Sequence, residues 1–224
     1  MIEQLYNKIK PVGKKMIIAV DEEAKNVHRI KGTDKILYIS KEYSWDRKKS
    51  APTMGICMTD CGDAVAGDIV LIHHNATTVA TFLDIPQNTG NYKIHSVESD
   101  LVFFAIRDKR IICLNDYMIA ERLYYPLEQT ATGLVVSSEQ KQIEQRLKIV
   151  ATPEYIRDFG PDDVIVCYKF SDYEVNYNDG EDKYLIRVRE RDIVGIDHDL
   201  TKMVKKNPEN FKKTKEVWLN PSLN

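Results

Sequence analysis

A chain of 224 residues is long enough for one large domain or two small ones. Apolar residues make up 43% and charged residues 29%, a balance that excludes collagenous, low-complexity and wholly disordered chains. Thirty-two Lys and Arg stand against 34 Asp and Glu, so the excess positive charge behind non-specific nucleic-acid binding is missing.

The N-terminus, Met1-Ile2-Glu3-Gln4-Leu5-Tyr6, has no basic stretch followed by an apolar core, so no secretory leader is expected. No apolar run reaches the ~20 residues that span a bilayer, and no membrane partner is expected. Strand signals then dominate: short runs rich in Ile, Val, Tyr and Phe, bounded by polar clusters with Gly, Pro, Asn or Asp. In chain order they are 16–20, 68–72, 101–106, 117–120, 164–168, 184–188 and 193–196. Ile143, Leu147 and Val150, at spacings of four and three, make 138–150 the best helix candidate. Its long polar face and nearby Pro153 fit a flexible loop running into a strand equally well. Cys57, Cys61, Cys113 and Cys167 are too few and too scattered for a disulfide framework, so a reducing, cytoplasmic location is expected.

Three segments recur in the same order. Residues 13–19 pair with 115–120, residues 66–72 with 160–166, and residues 103–112 with 185–194. Two similar β domains are expected, 1–112 and 113–200, followed by a basic tail, 201–224. The tail carries Lys202, Lys205, Lys206, Lys212, Lys213 and Lys215 with Phe211 and Trp218 interspersed. It reads as a solvated tail or a short helix packed by its aromatics.

The second half resembles the GroES co-chaperonins, partners of GroEL-type chaperonins. Leu114-Asn115-Asp116-Tyr117-Met118-Ile119-Ala120 is similar to the family's first strand. Thr130-Ala131-Thr132-Gly133-Leu134-Val135-Val136 is similar to the start of its mobile loop, here bounded at 129–146. The run 160–166 resembles the family's Gly-Asp strand, and 184–196 its closing signature. The first half resembles the family through Ile9-Lys10-Pro11-Val12, 16–20, Ala66-Gly67-Asp68 and 107–112. Its loop region departs from the pattern, with Ile36-Leu37-Tyr38 reading as a strand and a secondary docking candidate. Residues 59–65 and 152–159 are too short for the family's roof hairpin. The resemblance implies a mainly β fold of two tandem GroES-like small β-barrels that self-associate into a ring.

The loop's logic stands on the residues themselves. Small and polar residues flank Leu134-Val135-Val136, leaving three consecutive exposed aliphatics that a soluble monomer avoids. Burying each in a partner groove is worth ~1.5–3 kcal/mol, offset by ~1–2 kcal/mol per ordered backbone residue. One loop binds weakly, and several on a ring bind by avidity. The same residues would also suit an ordinary edge strand.

Cys57 and Cys61 precede His73-His74, but adjacent histidines at a strand end point to opposite faces, so structural thiols are expected over zinc. No nucleophile elbow, phosphate loop or zinc-protease motif is present, and the aspartates cluster at turns, so the chain reads as a non-enzyme. Tyr173, Tyr177 and Tyr184 with Lys169, Lys183, Arg187 and Arg189 could stack bases. The acidic Asp172, Glu174, Asp179, Glu181 and Asp182 among them favour a solvated hairpin instead. The resulting expectation is a co-chaperonin that caps a GroEL-type ring through Gly133, Leu134, Val135 and Val136. No cofactor and no nucleic-acid partner are expected. The alternative is a structural or interaction protein that keeps the barrels without binding a chaperonin.

Overall fold

A computed structural model describes residues 2–21, 27–29, 36–38, 53–85, 89–126, 140–169, 173–177 and 183–213. The strands of the first half are β1 (Lys15–Asp21), β2 (Val27–Arg29), β3 (Ile36–Tyr38), β4 (Met54–Cys57), β5 (Ile69–Ile72), β6 (Thr81–Leu83), β7 (Tyr92–Glu98), β8 (Val102–Arg107) and β9 (Arg110–Cys113). Those of the second are β10 (Tyr117–Tyr124), β11 (Gln142–Ala151), β12 (Val164–Cys167), β13 (Tyr173–Tyr177), β14 (Lys183–Arg189) and β15 (Ile193–Ile196). A short helix α1 (Ala76–Val79) follows β5, and α2 (His198–Lys206) follows β15. The fold is mainly β: among the described residues, two large antiparallel sheets and a separate two-stranded ribbon of β2 and β3.

The two sheets share one strand order. The first runs β6-β7-β1-β4-β5-β8-β9, and the second runs β13-β14-β10-β11-β12-β15. Read in chain order, each has a first strand, two partners to one side of it, and a hairpin that returns to the other side. A last strand then joins the third.

Continuous apolar runs explain why β1 and β10 lie inside their sheets, because a strand covered on both faces needs no polar alternation. Met16, Ile18 and Val20 pack with Cys57, Val70, Ile72 and Val97 on one face, while Ile17 and Ala19 meet Leu5, Met58 and Ile94 on the other. In β10, Met118 and Ala120 pack with Leu147, Ile149, Ile165 and Ile186. Tyr117 and Ile119 turn instead toward Leu71, Phe103 and Phe104 of the first sheet.

The repeat extends to individual hydrogen bonds. Gly67 N–H donates to Cys57 O at 2.8 Å, and Asp162 N–H to Ile149 O at 2.9 Å. The Asp68 carboxylate accepts from Val65 N–H at 2.9 Å, and Asp163 from Gly160 N–H at 2.9 Å. Gly67 and Asp162 both hold left-handed backbone, at φ 100° and 68°. A bulge recurs as well: the pairing of β5 with β8 and of β12 with β15 slips by one residue at the same place.

Two expectations change. Residues 103–112 do not correspond to 185–194. The shared unit is β7, a 3-10 turn at Ser99–Leu101 and β8, matched by β14, a 3-10 turn at Glu190–Asp192 and β15. The sequence match had captured the β8–β9 hairpin, whose two-residue turn at Asp108 and Lys109 is left-handed at both positions. The helix candidate within 138–150 is strand β11. Leu147 and Ile149 are buried with Met118 and Ala120, whereas Ile143, beyond an irregularity in the β10–β11 register, is buried with Leu123 and Val164. Val150, three beyond Leu147, packs on the opposite face against the cluster between the sheets.

The start of the expected tail is folded. Asp197 caps α2 by accepting from Leu200 N–H at 3.0 Å, and the Thr201 hydroxyl accepts from Val164 N–H at 2.9 Å. Val204 and Phe211 are buried with Leu123, Ile143 and Val164.

Because only glycine takes left-handed backbone freely, Gly67→Ala should cost about 1–2 kcal/mol in urea unfolding. Asp162→Gly should stabilise by several tenths of a kcal/mol, with loss of the Lys148–Asp162 pair, exposed only on the Asp162 side, offsetting part of the gain.

The Asp68 carboxylate is buried and accepts two bonds from the Arg107 guanidinium, at 2.7 and 2.8 Å. Burial pushes its pKa up, but the Arg107 bonds, the Val65 amide and the Arg107 charge outweigh burial and set it below the ordinary value. A depressed folded pKa stabilises above the unfolded value near 4 and is lost as pH falls through the folded value. Asp68→Asn should therefore lower stability at neutral pH and flatten its decline below about pH 4, read by urea midpoints across pH.

Candidate functional site

The strongest docking candidate, Gly133, Leu134, Val135 and Val136, lies outside the described residues, as does most of 129–146. Both ends of that segment are described. Its two flanking strands are hydrogen-bonded neighbours, with Tyr124 opposite Gln142. Below the last pair, Tyr125 N–H donates to Lys141 O at 2.9 Å, and Arg122 donates to the Gln142 side-chain oxygen at 3.0 Å. The Gln140 amide donates to Tyr125 O at 2.8 Å and to Lys212 O at 3.0 Å. Gln140 therefore ties the base of the segment to the C-terminal residues. Leu123 and Ile143, one on each flanking strand, sit on Val204 and Phe211. The segment leaves a clamped base.

The secondary candidate, Ile36, Leu37 and Tyr38, forms strand β3, paired with β2 in a two-stranded ribbon: Arg29 opposite Ile36, His28 opposite Leu37 and Val27 opposite Tyr38. This ribbon lies between β1 and β4, the counterparts of β10 and β11 in the repeated strand order. Both candidates thus leave the fold from the same place in their sheets. The resemblance had placed both in the loop region of their halves; sequence reasoning missed the bracing by 201–212. The alternation of Val204 and Phe211 with lysines was the available signal.

A second constellation lies between the sheets. Arg187 of β14 places its guanidinium 5.1 Å from the Phe103 ring centre, 4.9 Å from Tyr117 and 5.0 Å from Tyr173. Burial is the main cause holding its pKa below the usual value, with neighbouring Arg189 adding to the effect and the Tyr117 and Tyr173 phenols opposing it. Arg189 donates to the Tyr117 hydroxyl at 2.6 Å, which donates to Asp100 O at 2.8 Å. Tyr173 was expected on a solvated hairpin. It is half-buried because β13 packs on the first sheet, its ring stacked on His73 at 5.1 Å and its hydroxyl bonded to His74 Nδ1.

His73 and His74 do not point to opposite faces. β5 ends at Ile72, so both fall in the turn before α1, where strand alternation no longer applies, and their rings stack at 4.2 Å. Among the described residues, no three His, Cys, Asp or Glu side chains form a group able to hold a metal. Burial raises the Cys57 thiol to about 11, against an opposing backbone hydrogen bond at Thr59, and the Cys113 thiol to about 12. Both are protonated at neutral pH, which removes the nucleophilic thiolate.

No protein-family model matches the chain, and no curated protein sequence matches it. Among the described residues, no helix is long and apolar enough to cross a membrane.

The bracing can be measured directly. Phe211→Ala should cost about 3 kcal/mol if its site behaves as a core position. It should also speed hydrogen exchange at the Tyr125 amide well before global unfolding does.

Proposed function

We propose that this chain is a GroES-type co-chaperonin of two tandem small barrels, docking on a GroEL-type ring through Gly133, Leu134, Val135 and Val136. The observation that carries the reading is the equivalence of the two excursions. Strands β1 and β4, like β10 and β11, are antiparallel neighbours that a two-residue turn could join. The chain instead inserts residues 22–53 in one repeat and 125–141 in the other. A fold that twice joins the same two neighbouring strands through a long insertion suits a scaffold for presenting docking segments. The clamp at Gln140 holds the second excursion at its root, which limits the entropy lost when a partner captures Leu134-Val135-Val136.

Self-association follows from the way the repeats join. β9 precedes the second repeat and pairs with β8, the last strand of the first. The counterpart of β9 ahead of the first repeat is residues 8–11. The counterpart of β8 in the second is β15, which among the described residues pairs only with β12. Val194 on β15 is 59% exposed and Val12 is 85% exposed. Residues 8–11 of one copy laid on β15 of the next would repeat the internal join head to tail, giving a ring if the rotation closes.

The alternative, an interaction protein that keeps the fold without chaperonin binding, draws on the β2–β3 ribbon. In the first repeat that ribbon replaces a free docking loop.

Two measurements separate the readings. The wild-type chain should suppress the ATPase of a GroEL-type chaperonin, and Leu134→Asp should lose that suppression at unchanged native mass. A wild-type chain that forms oligomers and never alters the ATPase leaves the interaction-protein reading. Val194→Lys, which places a charge on the open edge, should shift the native mass toward the monomer. A wild-type chain that is already monomeric removes the ring.

A further inference from the structure

A row of side chains crosses four strands of the first sheet: Met54 opposite Leu71, Leu71 opposite Phe104, and Phe104 opposite Cys113. This row is the first sheet's share of the contact between the repeats, packed with Ile119, Val150 and Leu185 of the second. The second sheet has the same row, with Arg146 opposite Val166 and Val166 opposite Gly195. Valine thus stands in the place of Leu71, and glycine in the place of Phe104. Leu71 and Phe104 are fully buried, whereas Val166 and Gly195 are half-buried. Arg146, in the place of Met54, has its charge met by Asp197 at 3.4 Å.

Nothing within its own chain explains a glycine at 195. Its backbone is not left-handed, and among the described residues a Cβ added there would meet nothing within 4 Å. Glycine weakens a strand, and inside one it often marks the close approach of another chain or ligand.

The face that the row covers recurs too. Counting back from the 3-10 turns that follow β7 and β14, Lys15 and Tyr117 hold one position, opposite Glu98 and Arg189. Ile17, Met58 and Ile94 therefore match Ile119, Val150 and Leu185. In the first repeat, Leu5 of the N-terminal 3-10 turn packs on these residues. One surface has gained a leucine, and the row that would meet it has lost a phenylalanine.

We propose that Leu5 of one copy seats on Gly195 of the next, filling the space that Phe104 fills in the contact between repeats. The inference rests on the head-to-tail join proposed above and names the contact that fixes its register. Asn7 and Gly13 bracket residues 8–11 in left-handed backbone, at φ 58° and 73°, as Lys109 and Asn115 bracket β9, at 65° and 58°. Laying 8–11 along β15 as β9 lies along β8 therefore carries Leu5 over the Val166–Gly195 row. Small side chains on one partner meet the added layer on the other, and a second bulky residue has no room.

Native mass of the full chain over a concentration series reads the join. Gly195→Leu should raise the dissociation constant of the assembly roughly tenfold or more by overpacking the seat, while the dilute chain melts no lower than the wild type. Leu5→Ala should weaken assembly roughly fivefold or more by leaving the seat empty. The double variant Leu5→Ala with Gly195→Leu returns the bulk to the strand, as in the contact between repeats. It should assemble within about fivefold of the wild type, the non-additivity expected of residues in contact.

Gly195→Leu assembling like the wild type, or the double variant assembling no better than Gly195→Leu alone, would overturn the proposal. A lowered melting temperature for Gly195→Leu would overturn it too, because the crowding would then lie within one chain. A wild-type chain monomeric at about 100 µM overturns this contact and the ring together. An assembly that Val194→Lys breaks and Gly195→Leu leaves intact overturns this contact alone.

Discussion

Arg187 sets the relation between the two halves. Its guanidinium lies among Phe103 of the first sheet and Tyr117 and Tyr173 of the second. Removing a cation from water is costly, and three aromatic faces return only part of that through their quadrupoles. The geometry has little freedom, because the charge must stay over the rings while the rings stay packed in one shared apolar cluster with Leu71, Phe104 and Leu185. Sliding one sheet against the other would expose that cluster and strand the guanidinium. The roots of both excursions, at β1–β4 and β10–β11, inherit their relative placement from this contact.

Around that junction the repeats keep one backbone frame and vary its side-chain partners. Asp68 and Asp163 occupy the same turn and accept the same amide bond from three residues upstream. Asp68 takes its cation from Arg107, at the end of β8. The second repeat has no such residue, since β15 stops at Ile196 and the chain turns into α2. Its cation is Lys205, reached from the helix at 2.6 Å. The C-terminal helix therefore does in the second repeat what the end of the last strand does in the first. Val204 of that helix and Phe211 of the 3-10 turn Pro208–Phe211 that follows it also cover the root of the 125–141 segment. The two short elements together carry both tasks, which explains why residues past the repeat are folded.

Strands β1, β5, β8, β10, β12, β14 and β15 were legible in the sequence because their apolar runs and turn residues are local properties, whereas β7, with Lys93, His95 and Ser96 among its apolar residues, was not. The Gly-Asp turn was legible because its carboxylate is local too. What failed was correspondence and facing. Phe103 to Ile112 resembles Leu185 to Val194 because both are an apolar strand, a charged turn and another strand. Only the pairing of β7 with β1 and of β14 with β10 reveals which strand matches which. His73 and His74 were assigned opposite faces on strand geometry that ends one residue earlier. Tyr173 looked solvated because its neighbours in sequence are acidic, while its contacts come from His74 and Phe103 of the first repeat, far away in the chain.

Between the repeats, the chain covers the edge that β8 would otherwise expose with β9. It does so through the tightest connection available, two left-handed residues at Asp108 and Lys109. Asn115, left-handed at φ 58°, then donates to Ser99 O at 2.9 Å and Val102 O at 3.1 Å, fixing the start of the second repeat to the last turn of the first. At the far end β15 has neither device: Val194 faces solvent, and the chain leaves into a helix. Proteins usually blunt a sheet edge with charge, proline or a covering segment, because unpaired backbone groups invite another strand. β15 reads Ile193-Val194-Gly195-Ile196, with no charge and no proline within it. A molecule that spends a hairpin and an asparagine bridge on covering one edge, while no described strand covers its apolar equivalent, has an asymmetry that folding of a single chain does not require. A second copy resolves it under the proposed assembly, because residues 8–11 stand to β1 as β9 stands to β10.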